Sequence, residues 1–339
     1  MSSAAPRILV IRRRYLGDIV LLGPVFRNLR LHWPEAHLAA IVEPAYAPVL
    51  TLNPDVNEIL RLPRSTAAWP GFLLRLRRAG FTHVLDLDNN DRTAFLTRVT
   101  GAPVRVALHH APLHRGFCYT GDVFHPPELH ERSSIVDYYL AALSGLAVPI
   151  ATREVRLVPR PADVAAAQRI AQPGGRKILV HPGSRSDWRI WPAENFAAVC
   201  DRAQDELDAR VFLIGGPGEQ ELLKRIRQSA KSHLVLVEAP LSIPQFAAFA
   251  AQFNVMLCHD SGPMHVAAAV GTPVVALLGS QNPVLFAPSG PDHIVLQPPL
   301  PCVACVSPGQ CIPGDSYHNH CVRNITVDAV FEALRRKLR

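Results

Sequence analysis

No uninterrupted apolar run in the 339-residue chain approaches the ~18 to 20 residues that a membrane-spanning helix requires, although apolar residues make up 48% of it. A soluble globular protein is therefore expected. Aromatic residues are sparse, at 7%, and are not interleaved with the basic ones, which argues against nucleic acid as a partner. Neither the dinucleotide fingerprint G-x-G-x-x-G nor the P-loop G-x-x-x-x-G-K-[ST] occurs. Their absence speaks against a nicotinamide-dependent dehydrogenase and a P-loop nucleotidase. The opening Met1 to Pro6 lacks an apolar signal region and a small-residue cleavage site and passes straight into an apolar strand. A cytoplasmic location is the default expectation.

What the chain does have is positive charge, a net +7 with a sequence pI of about 9.2, carried by arginine far more than by lysine. Much of the excess falls in the first eighty residues, at Arg12, Arg13, Arg14, Arg27, Arg30, Arg64, Arg75, Arg77 and Arg78. Such a surface suits anions, and a planar guanidinium fork matches phosphate better than an ammonium does. Phosphorylated sugars and anionic lipid headgroups both fit that description.

The length suits two domains better than one core. Short apolar runs at Arg7 to Ile11, His37 to Val42 and His83 to Leu87 alternate with predicted helices near Ile19 to Leu31, Trp69 to Ala79 and Thr93 to Val99. This is the rhythm of a doubly wound α/β sheet. A helix from Arg132 to Leu143 ends at Ser144-Gly145, and a proline-punctuated stretch up to Pro161 reads as a domain junction. The rhythm then restarts, with strands expected at Lys177 to Val180, Val211 to Ile214, Leu234 to Val237, Val255 to Leu257 and Val274 to Leu278. The expected organisation is an α/β chain of two Rossmann-like domains facing each other across a cleft, residues 1–158 and 159–325. Residues 326–339 form a last amphipathic helix that could pack back on either domain, the N-terminal one included.

Four turns carry polar chemistry at expected strand ends, where ligands of such folds bind. In R-R-R-Y-L-G-D-I-V, Gly17 permits a tight turn and Asp18 stands at the start of a helix, as an N-cap or as a carboxylate base. In V-H-P-G-S-R-S-D-W-R-I-W-P, Ser184, Ser186, Arg185 and Arg189 could neutralise and hydrogen-bond a diphosphate, while Trp188 and Trp191 read as packing residues. In G-G-P-G-E, Glu219 could accept from ribose hydroxyls or serve the first turn of the next helix. The stretch C-H-D-S-G-P-M-H, from Cys258, places an acid, a hydroxyl and an imidazole where a helix opens, and free N–H groups with a positive dipole end suit a phosphate there.

Taken in order, these motifs resemble glycosyltransferase family 9, the ADP-heptose:lipopolysaccharide heptosyltransferases, over nearly the whole chain. The likeness lies in L-G-D-I-V, H-P-G-S…R-I-W-P, G-G-P-G-E and H-D-S-G-P-M-H…G-T-P-V-V-A-L-L-G, and in a late C-x-x-C loop followed by I-T-V-D-A-V. The resemblance implies a GT-B fold and an inverting transferase, with acceptor bound by the first domain and ADP-sugar by the second. It implies Asp18 as general base and Glu219 on the ribose. Ser184, Asp260, Ser261, Gly262 and His265 would surround the diphosphate and sugar. Arg189 stands where the family usually has a lysine on the diphosphate. Arg12, Arg13 and Arg14 depart from the family's usual residues and would suit an anionic, lipid-linked glycan acceptor. No metal or other cofactor is expected in the active site. The partners implied are an ADP-sugar, that acceptor and peripheral contact with the cytoplasmic face of the inner membrane. The competing readings are a nucleotide-sugar epimerase of the same architecture and a non-catalytic glycan- or phospholipid-binding protein.

Of the seven cysteines, Cys302, Cys305, Cys311 and Cys321 cluster in a Pro/Gly-rich loop. Four thiols with a C-x-x-C element make a candidate structural zinc site, with a redox-sensitive pair or plain packing as alternatives.

Overall fold

The computed structural model describes residues 5–300 and 320–339. The chain divides into two compact units, Met1–Val158 and Pro159–Arg339. In the first, six strands pair in parallel: β1 (Arg7–Ile11), β2 (His37–Val42), β3 (Glu58–Arg61), β4 (His83–Asp86), β5 (Val104–His109) and β6 (Gly121–Phe124), in the order β3-β2-β1-β4-β5-β6. The second repeats the arrangement with β7 (Arg176–His181), β8 (Ala209–Leu213), β9 (Val235–Leu236), β10 (Val255–His259), β11 (Val274–Leu277) and β12 (His293–Leu296), in the order β12-β11-β10-β7-β8-β9. Each is a doubly wound sheet whose direction of winding reverses between its first and fourth strands, β1 and β4 in one unit, β7 and β10 in the other. Ligands of such sheets lie at that reversal, outside the carboxyl ends of the strands.

The central strands read as continuous apolar runs because helices cover both faces of a parallel sheet. In the first unit Leu9, Ile11, Ala39, Ile41 and Val84 pack with Leu76 and Leu96 of the helices Trp69–Arg78 and Asp91–Thr100. In the second, Ile178, Val180, Val211 and Leu257 pack with Phe196 of the helix Ala193–Leu207, and Trp191 is fully buried with its indole N–H donating to the Ile325 carbonyl at 2.9 Å.

Two expectations need correction, and a third had left two alternatives open. The helix expected from Ile19 to Leu31 is two, Leu16–Leu21 and Gly23–His32, because Pro24 has no N–H to continue the ladder and restarts a helix at its first turn. The strands β3, β5, β6 and β12 were not foreseen. β3, β6 and β12 are only four residues long, with mixed or partial burial, so their apolar pattern is weak. The last helix, Val327–Lys337, packs within the second unit. Its stripe Val330, Phe331 and Leu334 enters that core, and the Arg202 guanidinium covers the Phe331 ring at 3.9 Å.

Candidate active site

At the end of β1 the backbone turns into the short helix Leu16–Leu21, in which Asp18 is the third residue and Tyr15 the cap. Asp18 therefore does not cap the helix with its own backbone position. Its Oδ2 reaches back to accept the Tyr15 N–H at 2.9 Å, and its Oδ1 accepts from Arg12 Nη2 at 2.8 Å and from the Tyr139 hydroxyl at 2.5 Å. The Asp18 side chain keeps 21% of its surface exposed. A carboxylate so held is oriented by three donors yet still open to a substrate.

Tyr139 comes from the helix Ile135–Ala141, which Ser134 caps by accepting the Asp137 N–H. Burial raises the Tyr139 hydroxyl pKa well above its ordinary value, and Asp18 adds to this although Arg12 opposes it, so the hydroxyl stays a proton donor to Asp18. For Arg12, burial works against the charge, but Tyr139, Asp18 and Asp88 outweigh it and raise the guanidinium pKa.

Within the arginine triplet, two side chains have partners inside their own unit. Arg12 also donates through Nη1 to Asp88 Oδ1 at 2.9 Å and to the Leu87 carbonyl at 3.2 Å. Arg13 donates to Asp88 Oδ2 through Nε at 2.7 Å and through its backbone N–H at 3.1 Å, and lies 3.8 Å from Glu43. Two of the three arginines thus fix the carboxylates of their own unit, because β1 and β4 are neighbours and bring Asp88 alongside. Arg14 is exposed, with its guanidinium 5.2 Å over the Tyr15 ring.

Asp86, at the end of β4, shapes the turn that presents Asp88. Its Oδ1 accepts the N–H groups of Asp88 at 3.0 Å and Asn89 at 3.1 Å, and its Oδ2 accepts the Tyr119 hydroxyl at 2.7 Å. Complete burial raises its pKa to about 6 against these hydrogen bonds. Tyr139, Asp86 and Asp88 escaped the sequence reading. The acid-rich run Asp86-Leu87-Asp88-Asn89-Asn90-Asp91 was the available signal for two of them.

In the second unit the ends of β7 and β10 lie side by side, with His181 in register with Cys258. Ser184 follows one by three residues and Ser261 follows the other by three. Arg189, in the tight turn Asp187–Arg189, donates from Nη1 to Asp260 Oδ2 at 3.2 Å. The Ser184 hydroxyl, the Ser261 hydroxyl and Arg189 Nε are buried and have no hydrogen-bond partner among the described residues. Ser261 precedes the helix Gly262–Ala269 in an extended conformation, and its side chain does not cap that helix. His265 lies one turn along, 5% exposed. Three unsatisfied polar groups and a helix N-terminus meet at one strand edge, a donor set complementary to phosphate oxygens.

Glu219 precedes the helix Gln220–Ser229, where its carboxylate folds back onto the strand edge. Its Oε2 accepts the Gly216 N–H at 2.6 Å and lies 3.6 Å from His181 Nε2. Gly183 and Gly215 press against this carboxylate, and a Cβ at Gly183 would overlap it. Burial lowers the His181 pKa, opposed by Glu219. His259 is fully buried and burial, with the neighbouring His181, lowers its pKa to about 3, so its Nε2 remains an acceptor for the Trp191 N–H at 2.9 Å.

The structure thus brings Ser184, Arg189, Asp260 and Ser261 to adjoining strand ends, with Gly262 and His265 on the helix that follows. Among the described residues no group of three or more His, Cys, Asp or Glu could hold a metal ion. Cys302, Cys305 and Cys311, expected as zinc ligands, lie outside the described residues; Cys321 is buried in the second core, its Sγ against Gly279. No described helix is long and apolar enough to cross a membrane.

The sequence profile of glycosyltransferase family 9 (heptosyltransferase) matches residues 72–313. Lipopolysaccharide heptosyltransferase 3 of Escherichia coli is 24% identical over 288 residues, 81% of this chain and 84% of that one. The lipopolysaccharide core heptosyltransferase OpsX of Haemophilus influenzae is 22% identical over 87% of this chain and 86% of its own length. Among solved structures, the family 9 glycosyl transferase of Veillonella parvula superposes with a TM-score of 0.86 at 23% identity, covering 100% of this chain and 98% of that one. The ADP-heptose lipopolysaccharide heptosyltransferase II of E. coli gives 0.77 at 21% identity, covering 98% of each. These likenesses and the two doubly wound sheets establish the GT-B fold class expected from the motifs.

Proposed function

Since the chain belongs to glycosyltransferase family 9 and is therefore a glycosyltransferase, we propose that it moves a heptose from ADP-heptose to an inner-core sugar of lipopolysaccharide, with inversion. The observation that carries the donor half is the trio of buried groups without partners, the Ser184 and Ser261 hydroxyls and Arg189 Nε, around the N-terminus of Gly262–Ala269. Unpaired buried donors cost free energy, and a diphosphate satisfies all three. The names of the relatives, lipopolysaccharide heptosyltransferases, support the sugar and the acceptor.

In this reading an acceptor hydroxyl attacks the anomeric carbon from the face opposite the diphosphate. Its proton passes to Asp18, the new C–O bond forms through an oxocarbenium-like transition state, and the bond from the anomeric carbon to the phosphate oxygen breaks. ADP departs with the bonding electron pair, and Arg189, Ser184 and the N–H groups at Ser261 and Gly262 stabilise its growing charge. Asp260 holds Arg189 in place, and His265 stands beside the sugar. Glu219 receives the ribose hydroxyls. Arg14, exposed beside the Asp18 turn, meets an anionic group of the acceptor. The reaction runs at the cytoplasmic face of the inner membrane, with the enzyme attached peripherally.

The test is incubation with ADP-heptose and a panel of truncated lipopolysaccharide cores, followed by mass measurement of the acceptor. A gain of one heptose, lost in Asp18→Asn, is expected. Undiminished transfer by that variant would overturn the base assignment. No product from any nucleotide-linked sugar would favour a glycan-binding protein instead.

A further inference from the structure

The arginines of the first unit are only partly accounted for by Asp18 and Asp88. Several stand on the helices Trp69–Arg78 and Asp91–Thr100, which run parallel and side by side over the first sheet. The Arg92 guanidinium sits 5.9 Å over the Trp69 ring where the helices begin, and Arg77 donates to the Thr100 carbonyl at 3.4 Å where they end. Their inner faces bury Leu76 and Leu96 in the core.

Their outer faces combine exposed apolar side chains with arginines that meet no carboxylate among the described residues. Leu74 is 49% exposed and Phe95 52%, which leaves both apolar side chains in reach of a partner. Beside them the loop that carries Phe117, 76% exposed, is pinned to the second helix by Arg115 Nε on Asp91 at 3.1 Å and by Cys118, which packs with Ala94. Arg75 is paired with Glu58 at 2.6 Å. Arg78, Arg92 and Arg98 are exposed and meet no carboxylate among the described residues. The first helix carries no acid at all, and the second only Asp91, already engaged.

We infer that this outer face is a docking surface for an anionic lipid bilayer, on which Leu74, Phe95 and Phe117 enter the headgroup region while Arg78, Arg92 and Arg98 meet lipid phosphates. Apolar tips beside unpaired cations are what interfacial binding requires, and neither alone gives stable attachment. A second copy of the chain is a poorer occupant, since a two-fold contact would press the same positive face against itself. The surface also begins at the carboxyl edge of the first sheet, the edge that holds Asp18, because Asp91 follows directly on the turn after β4. The inference deepens the proposed function by placing the enzyme's side of contact with a lipid-linked acceptor, but its test involves no turnover.

Flotation of the full chain with vesicles of phosphatidylcholine, alone or mixed with phosphatidylglycerol, reads the surface directly. Binding is expected only to the anionic vesicles. Arg78→Gln with Arg98→Gln should weaken it by about 25-fold, at about fivefold per arginine, and Phe95→Ser with Phe117→Ser by about tenfold or more. Circular dichroism should show both double variants folded as before. Equal binding to neutral vesicles, no binding to anionic ones, or undiminished binding by both variants would overturn the proposal. So would a dimer in sedimentation that Phe95→Ser dissociates, since that would make the face a contact between copies. Vesicle binding that follows the arginines in a protein without heptose transfer would uphold the surface and refute only the enzymatic reading.

Discussion

Adding one methyl group at Gly183 should uncouple Glu219 from the rest of its site. The backbone at Gly183 is not in the left-handed region, so alanine introduces no backbone strain there. Its Cβ, however, would overlap the carboxylate of Glu219, the far end of a flexible side chain that can swing away while the strand stays in place. Swinging away breaks the 2.6 Å bond from the Gly216 N–H and the 3.6 Å contact with His181. A hydrogen bond to a charged group contributes about 1.5–3 kcal/mol. The Glu219 side chain is already 22% exposed and regains water on leaving, so the net loss of unfolding free energy should be about 1–2 kcal/mol. If the carboxylate holds the ribose, ADP affinity should fall by about tenfold, or ~1.4 kcal/mol. The decisive assay is a double-mutant cycle of Gly183→Ala and Glu219→Ala, with ADP titrated calorimetrically and urea unfolding on all four proteins. Once the carboxylate is gone the added methyl has nothing to displace, so the two losses should be strongly non-additive. Additive losses, or full ADP affinity in a destabilised Gly183→Ala, would refute the reasoning.

Tyr139→Phe removes one of the three donors on Asp18 and should lower unfolding free energy by about 1.5 kcal/mol. Its kcat should fall by roughly tenfold through loss of orientation, with the KM for ADP-sugar unchanged; a raised donor KM at unchanged kcat would contradict a role through Asp18. The neutral His259 sets an acid dependence. Its pKa is lowered in the fold to about 3, whereas the unfolded chain takes up that proton near its ordinary value of about 6.5. The stability it contributes is therefore complete above about pH 6.5 and is lost as pH falls toward 3, by at most about 1.4 kcal/mol per pH unit. Unfolding followed between pH 7 and about 4 should show a shallower slope in His259→Gln, whose amide oxygen can still accept the Trp191 N–H; an unchanged slope would place the titration elsewhere.

How far the sequence could be read depended on how local each signal was. The turn after β10 was legible because Asp260, Ser261 and Gly262 sit between an apolar strand and a small-residue helix, all within one short segment. The same held for the strand ends at His181 and the turn before Glu219. Tyr139 was not legible, since its hydroxyl meets Asp18 across 121 residues of chain and its helix reads as ordinary core packing. The internal partners of Arg12 and Arg13 were not legible for a related reason. A run of three arginines looks like a hook for an outside anion until β4 brings Asp88 against it from 75 residues away. Leu22, Gly23 and Pro24 carried the break between two helices, yet the apolar pattern runs through them unbroken.

In each unit an arginine from the turn after the first strand is joined to an aspartate from the turn after the fourth, Arg12 to Asp88 and Arg189 to Asp260. The partners are separated by 76 and 71 residues. Neither pair can close within a three-strand half of its sheet, because the aspartate belongs to the other half. Closure of so long a loop carries its entropy cost before any contact rewards it. The assembled groups around Asp18 and Arg189 thus exist only once the two halves of a sheet are paired. A chain halted with only β1 to β3 paired would carry Asp18 and Arg12 but not the carboxylate that divides the arginine's attention between them.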